Sequence, residues 1–109
     1  MQKPIYKIEF YVPPSHLEQV KEALFAAGAG RVGEYEHCAW QTLGKGQYRP
    51  LAGSRPFAGE TGKVETVDEY KVELVCEADC LEAVLKAFKQ AHPYEEPAHS
   101  VLRLENPAS

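Results

Sequence analysis

Hydrophobic and polar residues follow the same order twice along this chain. An alternating segment over roughly 6–12 predicts a strand with one buried face, because successive side chains of a strand point to opposite sides. Apolar residues at helical spacing over 17–27 then predict an amphipathic helix. The same two patterns return at 70–76 and at 81–91. The pattern therefore predicts a strand followed by a helix in each half of the chain.

The two halves also share identical residues. A shift of 64 residues lays Tyr6 over Tyr70 and Leu17 over Leu81, and it gives eight identities across the 23 positions from 6 to 28. Binary patterning alone produces part of this similarity. The repeated words Tyr-Lys-x-Glu and Leu-Glu-x-Val favour a structural duplication.

Helix boundaries are marked in both halves. Ser15 with Glu18, and Asp79 with Glu82, have the spacing of a capping box at a helix start. Gly28 is placed to end the first helix, and a proline follows the second. We therefore expect the two helices to start and end at matching places.

A second strand is predicted after each helix, over about 32–43 and 98–105. The order β-α-β, β-α-β with right-handed crossovers predicts an α+β, ferredoxin-like sandwich: one antiparallel sheet with two helices on one face. The other face is then uncovered, with Tyr11 and Val75 pointing toward it. An open apolar face on so small a domain predicts a partner subunit.

A long segment over 44–62 breaks the symmetry of the two halves. It holds five glycines and two prolines in 19 residues, which predicts a loop rather than a helix or a regular strand. Loops of this length inside a compact domain are usually functional or mobile. We therefore take the chain as one domain, 1–109, with a long Gly/Pro loop.

Composition and charge limit the possible partners. The 109 residues are 44% apolar and 26% charged, as in ordinary globular domains. A net charge of −4 provides no basic field for nucleic acid. No apolar run is long enough for a membrane span and the N-terminus carries no signal-peptide pattern, so we expect a cytoplasmic protein. Three cysteines, an odd number, agree with a reducing compartment.

The run over 92–99 is the strongest candidate for a binding site. His92 and a carboxylate of Glu95 or Glu96 could converge on a polar ligand or a divalent metal such as zinc, with Tyr94 orienting one of them. The alternative is structural, because two prolines make the run a rigid helix-to-strand corner or part of a subunit interface. Both interpretations stay open at this point.

Three further residues are candidates on weaker grounds. Cys38 falls in the predicted second strand, and with His92 and Glu96 it would complete a metal site; otherwise it is a small buried hydrophobe. Lys45 and Arg49 supply positive charge to the glycine-rich loop, where an anion could bind. The loop lacks the order of residues of a phosphate-binding P-loop.

Catalytic residues are not predicted. None of the serines lies in a nucleophile-elbow word. Adjacent Glu95 and Glu96 do not form an acid/base pair, because those two groups must flank a substrate.

Several sequence words occur together along the chain: Gly33-Glu34-Tyr35-Glu36-His37-Cys38, Gly44-Lys45-Gly46, Arg49-Pro50, Pro56-Phe57-Ala58-Gly59 and His92-Pro93-Tyr94-Glu95-Glu96-Pro97-Ala98. With them, nearly the whole chain resembles the YqfO-type insert domain of the Nif-three family (dimetal-hydrolase-like), in a standalone form. That domain resembles the trimeric CutA and PII signalling proteins, which implies a ferredoxin-like fold and a homotrimer. The family's paired metals are bound by flanking domains, so the resemblance does not extend hydrolase activity to this chain.

Three functions follow as hypotheses. The first is a small cytoplasmic, non-enzymatic binding or regulatory module, a homo-oligomer that holds a divalent metal or a small anion at subunit junctions. The second is a protein-interaction module that regulates a partner enzyme. The third is a metal-dependent hydrolase that uses Cys38, His92 and Glu95 or Glu96.

Overall fold

In a computed structural model that describes residues 4–105, the chain forms a four-stranded antiparallel sheet and two α-helices. The elements are β1 (Ile5–Val12), a short 3-10 helix (Pro14–His16), α1 (Leu17–Ala26), β2 (Trp40–Tyr48), β3 (Glu65–Glu77), α2 (Ala78–Ala91) and β4 (His99–Leu104). The strand order is β2-β3-β1-β4. This arrangement confirms the predicted α+β fold class.

The core lies between the helices and one face of the sheet. Alternate residues of the two central strands β1 and β3 are buried, as the period-two pattern predicts. The helices contribute apolar residues from one side each. The fully buried larger side chains are Ile8, Phe10, Val12, Val20, Leu24, Val72, Val84 and Phe88.

The predicted capping boxes are wrong at both helix starts. Ser15 lies inside the 3-10 helix, where its hydroxyl is 2.8 Å from Nδ1 of His16, and α1 begins only at Leu17. At α2 the chain passes from strand to helix without a connecting residue, so Asp79 is already in the first helical turn. Neither N-cap residue makes a side-chain capping bond.

The second predicted strand is displaced along the sequence. β2 begins at Trp40 and extends to Tyr48, so its last five residues lie in the segment predicted as a loop. Residues 32–39 instead form a turn that contains one isolated bridge between Val32 and Tyr35. Gly46 fits the ladder because it leaves room for the Glu69 carboxylate, which a Cβ at this position would contact. Gly46 thus accommodates a neighbouring side chain, and neither it nor Gly44 ends the strand.

The remaining loop, 49–64, is closed at its base by two hydrogen bonds. The Gly62 amide donates to the Pro50 carbonyl at 2.8 Å, and Nε of Arg49 donates to the Gly62 carbonyl at 3.1 Å. Within residues 4–105, neither helix is long and apolar enough to cross a membrane.

We call the sheet face away from the helices the open face. Its centre is charged: Nζ of Lys7 lies 2.7 Å from a Glu73 oxygen and 3.3 Å from a Glu9 oxygen. Apolar side chains surround this centre, among them Trp40, 67% exposed, and Leu102, 45% exposed. The open face therefore combines paired charges with exposed apolar surface.

Candidate functional site

Residues 92–98 form a corner between α2 and β4. The helix ends at Ala91 because Pro93 disfavours helical geometry in the residue before it, and His92 is accordingly extended, with φ −75° and ψ 137°. The Ala98 carbonyl accepts the Tyr11 amide at 3.4 Å. The corner is thus attached to the end of β1 before β4 begins.

His92 is the buried polar residue of this corner, with 6% of its surface exposed. Its Nε2 is 2.6 Å from the Tyr11 carbonyl oxygen, and its Nδ1 is 3.1 Å from the Tyr94 amide nitrogen. A carbonyl can only accept a hydrogen bond and an amide can only donate one. These partners therefore assign the neutral tautomer, with the proton on Nε2.

The electrostatic surroundings of His92 favour the same neutral form. Burial lowers the pKa of His92, and the nearby imidazoles of His16 and His99 lower it further. The hydrogen bond to the Tyr11 carbonyl acts in the opposite direction. Burial is the larger effect, so the charged imidazole is disfavoured.

Aromatic rings enclose the imidazole of His92. The Phe88 ring lies edge-on to it with centroids 5.3 Å apart, and the Tyr94 ring is tilted at 4.8 Å. Phe88 also contacts the His99 ring at 5.1 Å. These contacts pack the corner against the end of α2.

Tyr94 connects the corner to the β2–β3 hairpin. Burial raises the pKa of the Tyr94 hydroxyl, and a hydrogen bond with the Glu69 carboxylate raises it further. The phenol is therefore neutral and donates to Glu69, a residue of β3.

The 49–64 loop folds back onto this corner. The Arg55 amide donates to Oε1 of Glu95 at 2.9 Å. The Phe57 ring lies 5.9 Å from the Tyr94 ring and 5.5 Å from the His16 ring, centroid to centroid. One hydrogen bond to a side chain and one ring contact thus hold the loop to the corner, and a second ring contact joins the loop to the 3-10 helix.

The structure separates the predicted ligand residues into two groups. His92, Tyr94, Glu95 and exposed Glu96 lie together in the corner. Lys45 is exposed and forms an ion pair with Asp68 across the hairpin, and Arg49 binds the loop base as described above.

Cys38 lies away from the corner and outside any strand, contrary to its predicted place in β2. Its amide donates to the Gly30 carbonyl, and the Gly30 amide donates to the Val75 carbonyl, both at 2.8 Å. Val75 pairs with Lys7 of β1, and Lys7 lies four residues before Tyr11, whose carbonyl His92 binds. Lys7 and Tyr11 are roughly 13 Å apart along the strand. Among residues 4–105, no three His, Cys, Asp or Glu side chains are grouped to hold a metal ion. The described chain therefore does not assemble Cys38, His92 and Glu96 into one cluster, as a metal site or a hydrolase would require.

Several partners at the corner could not be identified from the sequence. Both partners of His92 are backbone groups, and a backbone group leaves no residue-type signal. The packing of Phe57 against His16 links positions 41 residues apart. One sequence signal was available: Phe57 lies in Pro56-Phe57-Ala58-Gly59, one of the words that carry the family resemblance.

The corner and its surroundings contain polar groups that are already bonded and polar groups that keep donors to spare. Several of the polar side chains bind backbone or one another, yet Arg49 and Lys45 retain further N–H donors after their contacts. A groove of about 540 Å³ runs over Gly44 and Gly46 on the open face, bordered by Tyr11 and Lys71 among others.

Sequence comparison relates the chain to part of longer proteins. It is 44% identical over 102 residues to a Bacillus subtilis protein named GTP cyclohydrolase 1 type 2 homolog, an alignment of 94% of this chain and 27% of the relative. A Mycobacterium leprae protein of the same name is 46% identical over 97 residues, 89% of this chain and 25% of the relative. The chain is similar to one segment of these proteins. It spans about a quarter of the length of the curated relatives it matches. No protein-family model matches it.

Comparison with solved structures gives the same result. A Bacillus cereus protein related to NIF3 superposes with a TM-score of 0.82 at 38% identity, over 95% of this chain and 26% of that one. CutA from Synechococcus elongatus gives a TM-score of 0.67 at 18% identity, over 94% of this chain and 79% of that one. Bacillus subtilis GlnK gives 0.62 at 15% identity, over 93% and 85%. The CutA and GlnK structures show a shared fold. The Bacillus cereus structure supports the resemblance to a segment of Nif-three proteins. That the chain is a standalone form of the insert domain stays a prediction.

Proposed function

We propose that this chain is a small, non-enzymatic binding or regulatory module that works as a homo-oligomer, with a trimer as the expected state. The open face is the assembly surface, and a small anion is held where the corner and the glycine-rich hairpin of one copy meet a neighbouring copy. The observation that carries the proposal is the exposed apolar rim of the open face, above all Trp40 and Leu102.

Exposure and charge on the open face support assembly. Trp40 stands opposite Glu73 and Leu102 opposite Lys7, so the two apolar side chains flank the central ion pair on either side. Association would bury these side chains, and Trp is among the residues most enriched at interfaces. Lys7 and Glu73 already neutralise each other within one chain, which lowers the cost of removing them from water.

The free donors support an anion rather than a metal as the ligand. Both ring nitrogens of His92 are occupied, while among residues 4–105 Arg49 uses only Nε and Lys45 only one of its three hydrogens. Arginine and lysine recognise carboxylates and phosphates.

The assembly is tested by sedimentation velocity at micromolar concentration with a matched pair of variants. Leu102→Lys places a charge on the open face, whereas Ala83→Lys places one on an exposed position of α2. We expect the wild type and Ala83→Lys to sediment as oligomers and Leu102→Lys as a monomer, because an unpaired charge in an interface costs several kcal/mol, roughly 2–5.

A monomeric wild type would contradict the proposed assembly. Native mass spectrometry of protein purified without chelator then tests the ligand, which should appear as one discrete extra mass per subunit of the oligomer. An oligomer without any extra mass would support the proposed assembly and contradict the proposed ligand.

A second candidate function is an interaction module that regulates a partner protein. It is favoured by the finding that the matched segment is about a quarter of each longer relative, where this fold accompanies other parts of the same polypeptide. Its expected sign is a hetero-complex in native mass spectrometry, with no small ligand and with Leu102→Lys unable to form it.

A further inference from the structure

We propose that His92 is a pH-sensitive latch: the neutral imidazole holds the 92–98 corner closed, and its protonation releases the corner and breaks the two contacts that join it to the 49–64 loop. The latch consists of the His92 ring, the Tyr11 carbonyl and the Tyr94 amide. It operates within one chain and therefore does not require assembly.

The latch depends on one tautomer. Nε2 must carry a proton to donate to Tyr11, and Nδ1 must be bare to accept from Tyr94. A second proton would sit on Nδ1 and face the Tyr94 N–H, so that two donors would meet where one hydrogen bond had been. Protonated His92 is thus incompatible with the closed corner, while the Tyr11 bond alone could persist.

Charged and titratable groups around His92 come from three elements and the corner. His16 on the 3-10 helix and His99 on β4 both disfavour a positive charge on His92. Tyr94 in the corner is neutral and is bonded to Glu69 of β3, so that carboxylate already has a donor. The remaining ring neighbour, Phe88 of α2, is apolar. These neighbours give the imidazolium little compensation inside the closed corner.

Release of the corner would reach the loop through two contacts. Tyr94 carries the ring on which Phe57 packs, and Glu95 carries the carboxylate that accepts the Arg55 amide. Both residues directly follow the His92-Pro93 pair, so a change in the backbone at Tyr94 displaces both contacts. Half-exposed Phe57 also packs on His16, and the Tyr48 hydroxyl donates to the Ala58 carbonyl, so these two contacts stay with the loop when the corner opens.

The sign of the pH dependence follows from the two forms. An open, solvated His92 has a pKa near the ordinary value of about 6.5, and the closed form has a lower one. Protons are therefore taken up on opening. Between the two pKa values, each unit of falling pH lowers the ratio of closed to open corner by up to about tenfold.

The experiment is an NMR titration of the whole chain between pH 8 and pH 5. Long-range proton–nitrogen spectra of the imidazoles report tautomer and protonation, and backbone spectra report the Tyr94 and Arg55 amides. We expect His92 to show the Nε2–H tautomer at pH 8 and to titrate below 6.5, with both amide signals moving at the same midpoint.

Two variants accompany the titration. His99→Gln removes an exposed imidazole that bonds to the Pro97 carbonyl of the corner, but it leaves both hydrogen bonds of His92 intact and should therefore leave the coupled amide changes in place. His92→Leu removes both ring nitrogens, so its Tyr94 and Arg55 amides should show the released positions at pH 8 and no coupled transition.

The proposal is overturned by an Nδ1–H tautomer at pH 8, by titration of His92 without movement of the two amides, or by no titration of His92 above pH 5. Wild type and His99→Gln decide between these outcomes even where His92→Leu does not fold.

Discussion

The segments that follow α1 and α2 occupy equivalent positions of the duplicated fold, and each supplies the hydrogen-bond donor for a strand carbonyl in a different way. Under the 64-residue shift, Gly28 corresponds to His92 and Val75 corresponds to Tyr11. After α1 the chain turns through Gly28 at φ 111°, and the Gly30 amide then donates to the Val75 carbonyl. After α2 the chain is extended, and the His92 side chain donates to the Tyr11 carbonyl.

The two connections are therefore reciprocal. Each follows the helix of one half and satisfies the equivalent strand carbonyl in the other half. The first uses backbone alone, which titration in the physiological range cannot alter. The second uses an imidazole, which is the side chain whose charge changes near neutral pH. In both halves a strand carbonyl needs a donor from the segment after the helix. One half supplies a backbone amide, and the other supplies an imidazole, whose charge responds to pH.

The largest expected effect comes from breaking the backbone connection. Gly30→Ala places a Cβ in a residue with φ 82° and within 2.8 Å of a Phe25 ring carbon. Left-handed strain of roughly 1–2 kcal/mol and overpacking of roughly 1–3 kcal/mol should together lower the free energy of unfolding by about 3 kcal/mol. Urea denaturation measures this loss.

Gly33→Ala is the matched control for this change. It has φ 56° but meets no atom within 4 Å, so only the strain of about 1 kcal/mol should remain. Equal losses in the two variants would contradict the importance of the close packing at Gly30.

A smaller effect is expected at the imidazole connection. Phe88 corresponds to Leu24 of the first half, so Phe88→Leu makes the two helices alike at this position. The variant loses the ring contacts with Phe10 and His92, which should cost about 1.5 kcal/mol. Amide hydrogen exchange measures the local result: protection at Tyr94 should fall more than protection at Gly30. An equal fall at both amides would show that the two connections do not respond separately.

The fold was predictable because its main elements carry periodic patterns. Strands β1 and β3 alternate, and both helices have apolar faces, so burial at Ile8, Val72 and Val84 follows from spacing alone. The prediction started β2 too early, at Val32, because Val32 and Tyr35 are residue types typical of strands. In the structure Gly33 takes a left-handed conformation that turns the chain between them. The glycines of β2 then concealed the real strand, which is held by pairing with β3 rather than by its own preference.

The corner at 92–98 was predictable from the sequence, whereas its contacts were not. Proline spacing predicts a helix-to-strand corner at 92–99, and the structure places a corner there between α2 and β4. The role of His92 depends on a tertiary contact with a strand carbonyl 81 residues away. Such a partner is common to nearly every residue, so no sequence pattern distinguishes it. Cys38 was misjudged because its assignment depended on the register of the misplaced strand.

The smallest expected effect belongs to that cysteine, and it completes the comparison of the two connections. Cys38 is half-buried in the first connection, and its thiol makes only a long contact of 3.8 Å to the Glu36 carbonyl. Cys38→Ala should therefore change the free energy of unfolding by less than about 0.5 kcal/mol. Thermal unfolding with and without one equivalent of zinc gives the decisive reading. Because Cys38 and His92 lie in opposite connections, any shift caused by zinc should be the same in the variant and the wild type. A zinc-dependent stabilisation that disappears in Cys38→Ala would show instead that the two connections can come together around a metal.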